Sequence, residues 1–448
     1  MLSRISRLLV GSLFIVSGLI KANDPVGFSY KLNDYFAPGV FNMPWLDPWA
    51  LELSILVCVA EIVLGVAVLF GARMKLASWS LLLLMIFFTF LTGYTAVANW
   101  FFDNPQSATT GFFEGLFGFT AREDISYMKD CGCFGDAIKL TPWQSFAKDV
   151  VLMIFTIIIF IDYKNIKPEG IRTDAINLSI SGALIAIFAL GVVGWVFPIW
   201  FALVTFALLL AIKQVMQSDT RDWVMALGAT VVSLGFSLYC YWHLPIKDFR
   251  PYKIGNNIAE LKECPPDAPQ DVYKDTWYYK VGGETKSYTT EEEPWNIPGA
   301  EFVDRETELI SKGCEPPIHD FVLEDMDGND LTEDILAEPF MLLAITYDIT
   351  KASEEVQQKL NAINEGAMND PDGGPYMYGL AANVYGEVNG YRHANQVSYD
   401  ILTGDATMLK TIIRSNPGLV LLKEGTVVGK WHYNDLPTYE ELKASYFR

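Results

Sequence analysis

The feature that most constrains this chain is a series of apolar segments in its first half, near residues 8–21, 51–70, 76–98, 147–163, 176–194, 198–213 and 223–243. A helix needs about 20 apolar residues to cross a hydrocarbon core roughly 30 Å thick, and most of the seven approach that length. A multi-span helical membrane bundle is therefore expected. Residues 176–213 form one apolar run, about 57 Å long as a single helix and nearly twice the core. Gly194 and Pro198 in "GWVFP" supply a break, so two spans joined by a tight hairpin are expected. Arg4 and Arg7 precede the first segment as in a signal peptide. However, "SGLIKANDP" offers no small-x-small cleavage site and puts Lys21 where processing would fall, so an uncleaved span is expected.

Charge divides the chain. Residues 1–243 carry 17 acidic and 15 basic side chains, residues 244–448 carry 36 and 18, and the net charge is −20. The C-terminal part thus reads as an acidic, water-exposed module, a composition that argues against nucleic acid and against docking on anionic lipid. With seven spans, Arg4, Arg7, Arg73, Lys75, Lys164, Lys167, Arg172, Lys213 and Arg221 all fall on one side, which the positive-inside rule makes cytoplasmic. The N-terminus is then cytoplasmic in an inner (cytoplasmic) membrane. An odd number of spans puts the C-terminal module on the other side, in the periplasm or its equivalent; six spans would leave it in the cytosol.

Six cysteines are present. Cys58 and Cys240 fall within spans, where a small buried thiol packs like any apolar residue. Cys264 and Cys314 flank a polar stretch with little apolar content, which in an exported region points to a structural disulfide. Cys131 and Cys133 lie in "CGCFGD", a loop between two spans. Pattern alone leaves three readings of that loop: a glycine-rich turn with incidental thiols, part of a metal site, or a redox pair. Metal is the poorest, because about four ligands are needed and His243, His319, His393 and His432 are all remote in sequence. Gly132 allows a sharp turn, and a disulfide closed over one residue is strained and readily exchanged. Lys129 and Lys139 favour the thiolate while Asp130 and Asp136 oppose it, so charge does not decide.

Several of these stretches together resemble the DoxX/MauE superfamily of membrane proteins. "RLLVGSLFIVSGLIKANDP" is similar to that family's first span, "AEIVLGVAVLFG" to its second, and "CGCFGD" to the segment before its fourth helix. The resemblance covers about residues 1–163, a four-helix unit, and "LPIKDFRPYKIG" after the last span resembles longer MauE-like forms with an exported tail. It implies thiol or quinone redox chemistry, or maturation of disulfide-containing partners, as in methylamine utilisation. Cys131 and Cys133 match the family's dithiol, Glu61 the second-span carboxylate and Lys21 the end of the first span. A carboxylate inside the membrane is costly unless paired or proton-linked. Glu61 is expected to pair with Lys21, or with Tyr94 and Thr95, either as a proton relay or as a clamp between helices. Cys58, one turn before Glu61, is a secondary redox candidate.

The exported part divides at about residue 319. Residues 244–318 read as a loop-rich linker stapled by Cys264–Cys314, after three further spans in 164–243. From His319, "HDFVLEDMDGNDLTEDIL" alternates like a strand, turns at Asp327-Gly328 and resumes. "PFMLLAITYD" reads as a central strand buried on both faces, "TKASEEVQQKLNAI" as a helix, "NDPDGGPYMYG" as a surface loop, and "SNPGLVLLKEGTVVGKW" as a hairpin turning at Glu424-Gly425. This order resembles a thioredoxin-like α/β domain over 319–448, with Asn416-Pro417 at the family's cis-proline. Tyr347-Asp348-Ile349-Thr350 stands where that family carries Cys-x-x-Cys, so the domain cannot itself exchange thiols. The resemblance implies that Asn416, Pro417 and Tyr347 bind an extended segment of an exported partner.

Two functions follow from these readings. One is a membrane-embedded thiol–disulfide redox protein using Cys131 and Cys133, with quinone as the candidate cofactor. The other is a non-enzymatic scaffold whose degenerate thioredoxin-like domain binds a partner. A transporter ranks behind both, because the spans read as holding few charges beyond Glu61.

Overall fold

The computed structural model describes residues 1–103, 134–218 and 220–447; Cys131 and Cys133 lie outside them. The chain divides into two units. The first is Met1–Arg250 together with Ile413–Gly418 and Trp431–Pro437, and the second is Pro251–Ile412, Leu419–Lys430 and Thr438–Arg448.

The first unit is helical: α1 (Leu2–Asn23), α2 (Pro25–Phe36), α3 (Ala50–Phe70), α4 (Met74–Asp103), α5 (Pro142–Asp162), α6 (Ile171–Phe188), α7 (Phe197–Val215) and α8 (Arg221–Trp242). Among the described residues seven helices, all but α2, are long and apolar enough to cross a membrane. Large apolar side chains stand exposed along them, among them Leu83, Ile154, Leu203 and Val231. Water would penalise such a surface and a bilayer would not. The break in the 176–213 run lies at Gly194: α6 ends in a π-turn over Ala189–Val193, Gly194 takes φ 64°, and α7 opens with Pro198 in its first turn.

Helices α1 and α3 meet at unusually close range. A Cβ on Gly11 would lie 2.9 Å from the Gly65 carbonyl oxygen, and one on Gly65 would lie 2.8 Å from that of Gly11. Small residues let backbones approach in this way where no hydrophobic drive operates between helices. Arg7 closes the far end of the pair, donating from Nε to Val68 O at 2.9 Å and from Nη2 to Leu69 O at 2.8 Å. Those carbonyls belong to the last turn of α3, which leaves acceptors for outside donors; Val68 O also accepts the N–H of the capping Gly71 at 3.2 Å.

Two features depart from the sequence expectation. Helix α2 was not foreseen: Asp24 caps it by accepting the Gly27 N–H at 2.8 Å, and Pro25 occupies its first turn. At 12 residues it is too short to span, and Ser29, Asn33 and Asp34 dilute its apolar pattern. The spans also hold more buried charge than expected. Besides Glu61, the groups Arg7, Asp149, Asp174 and Lys213 are buried, and Lys213 pairs with Asp174. Arg7, Asp174 and Lys213 lie toward helix ends, and Asp149, the eighth residue of α5, is a single charge that a hydropathy window averages away.

The second unit carries two sheets. Residues 244–318, expected to be loop-rich, contain β1 (Val272–Val281), β2 (Glu284–Thr289) and β3 (Glu301–Ser311) in the antiparallel order β2-β1-β3. Their polar, glycine-punctuated composition hid them, since the β3 side chains are exposed throughout. Cys264 and Cys314 form a disulfide across this segment, with Cα atoms 6.1 Å apart.

Further along the chain come α9 (Thr332–Ala337), β4 (Met341–Ile345), α10 (Glu354–Met368), β5 (Tyr376–Ala381), α11 (Tyr385–Ala394), β6 (Asp400–Thr403), α12 (Ala406–Ile412), β7 (Gly418–Lys423), β8 (Thr426–His432) and α13 (Tyr439–Tyr446). The five strands are ordered β6-β5-β4-β7-β8, with β4, β5 and β6 mutually parallel. All five residues of β4 are buried, as its unbroken apolar run requires. Glu424 (φ 46°) and Gly425 (φ 72°) form the two-residue turn between β7 and β8. "HDFVLEDMDGNDL" differs: it forms isolated bridges, Glu324–Asp330 and Glu324–Thr403, the first around a turn in which Asp325 accepts the N–H groups of Asp327 and Asn329. "NDPDGGPYMYG" also differs, because Tyr376–Gly379 already belong to β5. Its first half is tied down through Asp370, which accepts from Tyr439 and from Lys443 Nζ at 2.6 Å.

Candidate functional site

Lys21 and Glu61 meet inside the first unit. Gly18, one turn before Lys21 on α1, lets α3 come close: a Cβ there would lie 2.7 Å from Ile62 Cγ1 and 3.1 Å from Glu61 Cβ. Lys21 Nζ then reaches Glu61 Oε1 at 2.6 Å and Ser17 Oγ at 2.8 Å. The ammonium also faces the Phe88 ring at 4.9 Å and the Phe28 ring at 5.8 Å. Both charged side chains are buried, and Glu61 Oε2 has no hydrogen-bond partner among the described residues. A buried ion pair repays its desolvation only with further hydrogen bonds, so this free oxygen is costly unless something donates to it.

The pair opens onto a cavity of about 390 Å³ whose lining is mostly apolar. Phe14 of α1, Phe28 and Tyr35 of α2, Phe88 of α4 and Phe188 at the end of α6 supply its walls. A second ion pair faces the same space from α5: Lys148 Nζ is 2.8 Å from Asp149 Oδ1, and Thr92 Oγ1 is 3.0 Å from Asp149 Oδ2. Lys148 Nζ also sits 4.7 Å over the Phe134 ring.

Phe134 is the first described residue after Cys133. It is buried, packs against Phe188 with ring centroids 5.8 Å apart, and lines the cavity with Ile138 and Leu140. Two residues on, Asp136 lies 3.6 Å from Arg414 Nη2, and Arg414 Nε lies 2.9 Å from Asp24 Oδ2. The segment following the "CGC" motif is therefore fixed in the unit that holds Lys21 and Glu61.

Of the residues singled out in the sequence, Lys21 and Glu61 come together. Thr95 instead bonds Tyr35, their oxygens 3.0 Å apart. Cys58 and Cys240 are buried free thiols. Asn416–Pro417 is a cis peptide in the first unit, Pro417 is buried, and Ser415 Oγ donates to its carbonyl. Tyr347, half-buried, follows β4 in the second unit. Lys148, Asp149 and the aromatic face of α2 were missed. A lysine and an aspartate adjacent at the start of an apolar helix was the one signal available for the first two.

Fold and site together define a multi-span membrane protein with a buried ion pair facing an apolar cavity, followed by an α/β unit. Residues 1–103 match the family model described as Methylamine utilisation protein MauE, a stretch that covers α1–α4 and includes both Lys21 and Glu61. The resemblance drawn over residues 1–163 is thus matched over its first 103. No curated protein matches the chain, and no solved structure does.

Proposed function

We propose that the protein is a membrane-embedded thiol–disulfide redox protein that uses Cys131 and Cys133 and supports the maturation of exported proteins. A partner dithiol attacks the Cys131–Cys133 disulfide; the partner's disulfide forms, the Cys131–Cys133 bond breaks, and two electrons and two protons pass to this chain. The observation that carries the reading is the place of Phe134. It follows Cys133 directly and lines the same cavity as the Lys21–Glu61 pair. Lys21 and Glu61 are the candidate proton relay for this exchange.

The cavity also suits a quinone: it has aromatic walls, an ammonium to donate and a carboxylate oxygen to accept. When bound there, a quinone supplies the two-electron acceptor that restores the disulfide. Lys21 would hold it, and Glu61 would keep the proton balance on the protein side.

The α/β unit reads as thioredoxin-like. β4 is central, β7 follows Asn416–Pro417 and lies next to it, and Tyr347 stands in place of a dithiol. In this reading the unit receives a partner segment near Tyr347 and leaves the chemistry to Cys131 and Cys133. Seven spans support a cytoplasmic N-terminus and an exported α/β unit.

Mass-tagging of free thiols in intact cells tests the proposal. Cys131 and Cys133 are expected in a mixture of reduced and oxidised forms that shifts when a membrane-permeant reductant is added. Thiols that stay fully reduced throughout would refute it.

A further inference from the structure

The cavity beside Lys21 and Glu61 makes an unequal demand on a ligand. An ammonium carries three donors and no acceptor. Those of Lys21 meet Glu61 Oε1 at 2.6 Å, Ser17 Oγ at 2.8 Å and the Phe88 ring at 4.9 Å. Only the ring-facing N–H is left for a ligand oxygen. Glu61 Oε2 is in a different position: it is buried and meets no donor among the described residues. As the partner of an ammonium, the Glu61 carboxylate can only accept. What the cavity calls for is a hydrogen-bond donor carried on an apolar body.

We propose that the cavity holds the reduced, hydroxyl-bearing form of a quinone more tightly than the quinone itself, through a hydrogen bond from a quinol O–H to Glu61 Oε2. This preference rests on the quinone-linked reading and gives it a direction. The volume of about 390 Å³ lies within the range of small-molecule sites. Phe14, Phe28, Phe88 and Phe188 in its lining offer aromatic faces and edges to a ring. A quinol oxygen can accept from Lys21 and donate to Glu61 at once. A quinone offers only carbonyl oxygens and would set a lone pair against Glu61 Oε2.

A hydrogen bond to a charged group is worth about tenfold or more in affinity. Tighter hold on the quinol raises the reduction potential of the bound couple, by about 30 mV for each tenfold. The quinone in the cavity is then the better oxidant. Two electrons and two protons leave the Cys131/Cys133 dithiol, the disulfide re-forms, and the quinone becomes the quinol.

The experiment uses full-length Cys131→Ser/Cys133→Ser protein in detergent, which lacks the thiols that would exchange electrons with a ligand. The probes share one ring and one short alkyl tail: a benzoquinone, its quinol, and the dimethyl ether of that quinol. Dissociation constants are read anaerobically by equilibrium dialysis. The quinol should bind at least about tenfold more tightly than the quinone, and the ether, which has lost the donor, no better than the quinone. That comparison needs no change at the ion pair. Adding Lys21→Met/Glu61→Gln, which removes both buried charges, should abolish the preference, because an amide donates to a carbonyl as readily as it accepts from a hydroxyl. Equal binding of all the probes would overturn the preference while leaving a quinone in the cavity. Binding of none would remove the quinone from the proposed function as well. A quinol preference that survives Lys21→Met/Glu61→Gln would overturn its assignment to Glu61.

Discussion

Lys21 Nζ lies 2.6 Å from Glu61 Oε1, between α1 and α3, with side chains only 4% and 1% exposed. Both side chains are shielded from bulk solvent. Removing one leaves the other buried and unpaired, which typically costs about 3–5 kcal/mol. Lys21→Met and Glu61→Leu should each destabilise the detergent-solubilised protein by that order, and the double variant by clearly less than either. A double-mutant cycle on thermal or denaturant stability checks this; additive losses would mean the pair does not act as a unit.

The contact between Gly11 and Gly65 makes a sharper demand. Added Cβ atoms would meet backbone oxygens at 2.9 and 2.8 Å, and backbone cannot rotate away. Gly65→Val should abolish folding or cut the yield of monodisperse protein severely, whereas Gly182→Ala, where nothing lies within 4 Å, should be near neutral. Size-exclusion profiles of the two variants provide the comparison.

Cys264 and Cys314 close a 50-residue segment of the α/β unit. Cross-linking over a loop of that length stabilises by about 4 kcal/mol in the chain-entropy account. Cys264→Ser/Cys314→Ser should therefore make the segment holding β1–β3 markedly more sensitive to limited proteolysis. The parent should acquire the same sensitivity on reduction. A variant digested at the parent's rate would show that the bridge does not hold this segment.

His432 gives a pH signature. Burial lowers its pKa to about 4, opposed by Asp435 and aided by His243, and its Nδ1 accepts the Asn434 N–H at 3.2 Å. The folded state disfavours the imidazolium, so between about pH 4 and pH 6.5 the unfolded chain binds more protons. Stability from this group is therefore complete above pH 6.5 and falls as pH drops toward 4. His432→Gln should flatten the acid side of the stability profile. An unchanged slope would exclude His432 as its source.

How much was legible in the sequence follows from period and window. Seven spans could be read because each is a long apolar run, and the hairpin at Gly194 because Gly and Pro interrupt one run too long to be single. β4 and the β7–β8 turn were visible for the same reason: an uninterrupted apolar stretch, and Glu-Gly between two others. Helix α2 was hidden because its buried face, Pro25, Ser29, Leu32, Tyr35 and Phe36, is short and set among polar neighbours. β1–β3 were hidden because their side chains are mostly exposed, with no alternation of burial to read. Lys21 and Glu61 stood out as charges inside apolar runs, but Asp149 and Asp174 sit at the polar edges of such runs and did not. No local pattern could have signalled the Arg414–Asp24 pair, whose members are 390 residues apart.

The central claim is that Cys131 and Cys133 exchange disulfides with a partner, and trapping that partner tests it most directly. In cells carrying Cys133→Ser, the Cys131 thiolate can still attack the disulfide of an oxidised partner, the reverse of the exchange, releasing one partner thiol; with no Cys133 to resolve it, Cys131 should stay joined to the partner. The expected result is a reductant-sensitive adduct of higher mass on non-reducing gels, absent when Cys131 is also changed to serine. A Cys133→Ser protein that runs only at its own mass, with Cys131 free and alkylatable, would contradict the account.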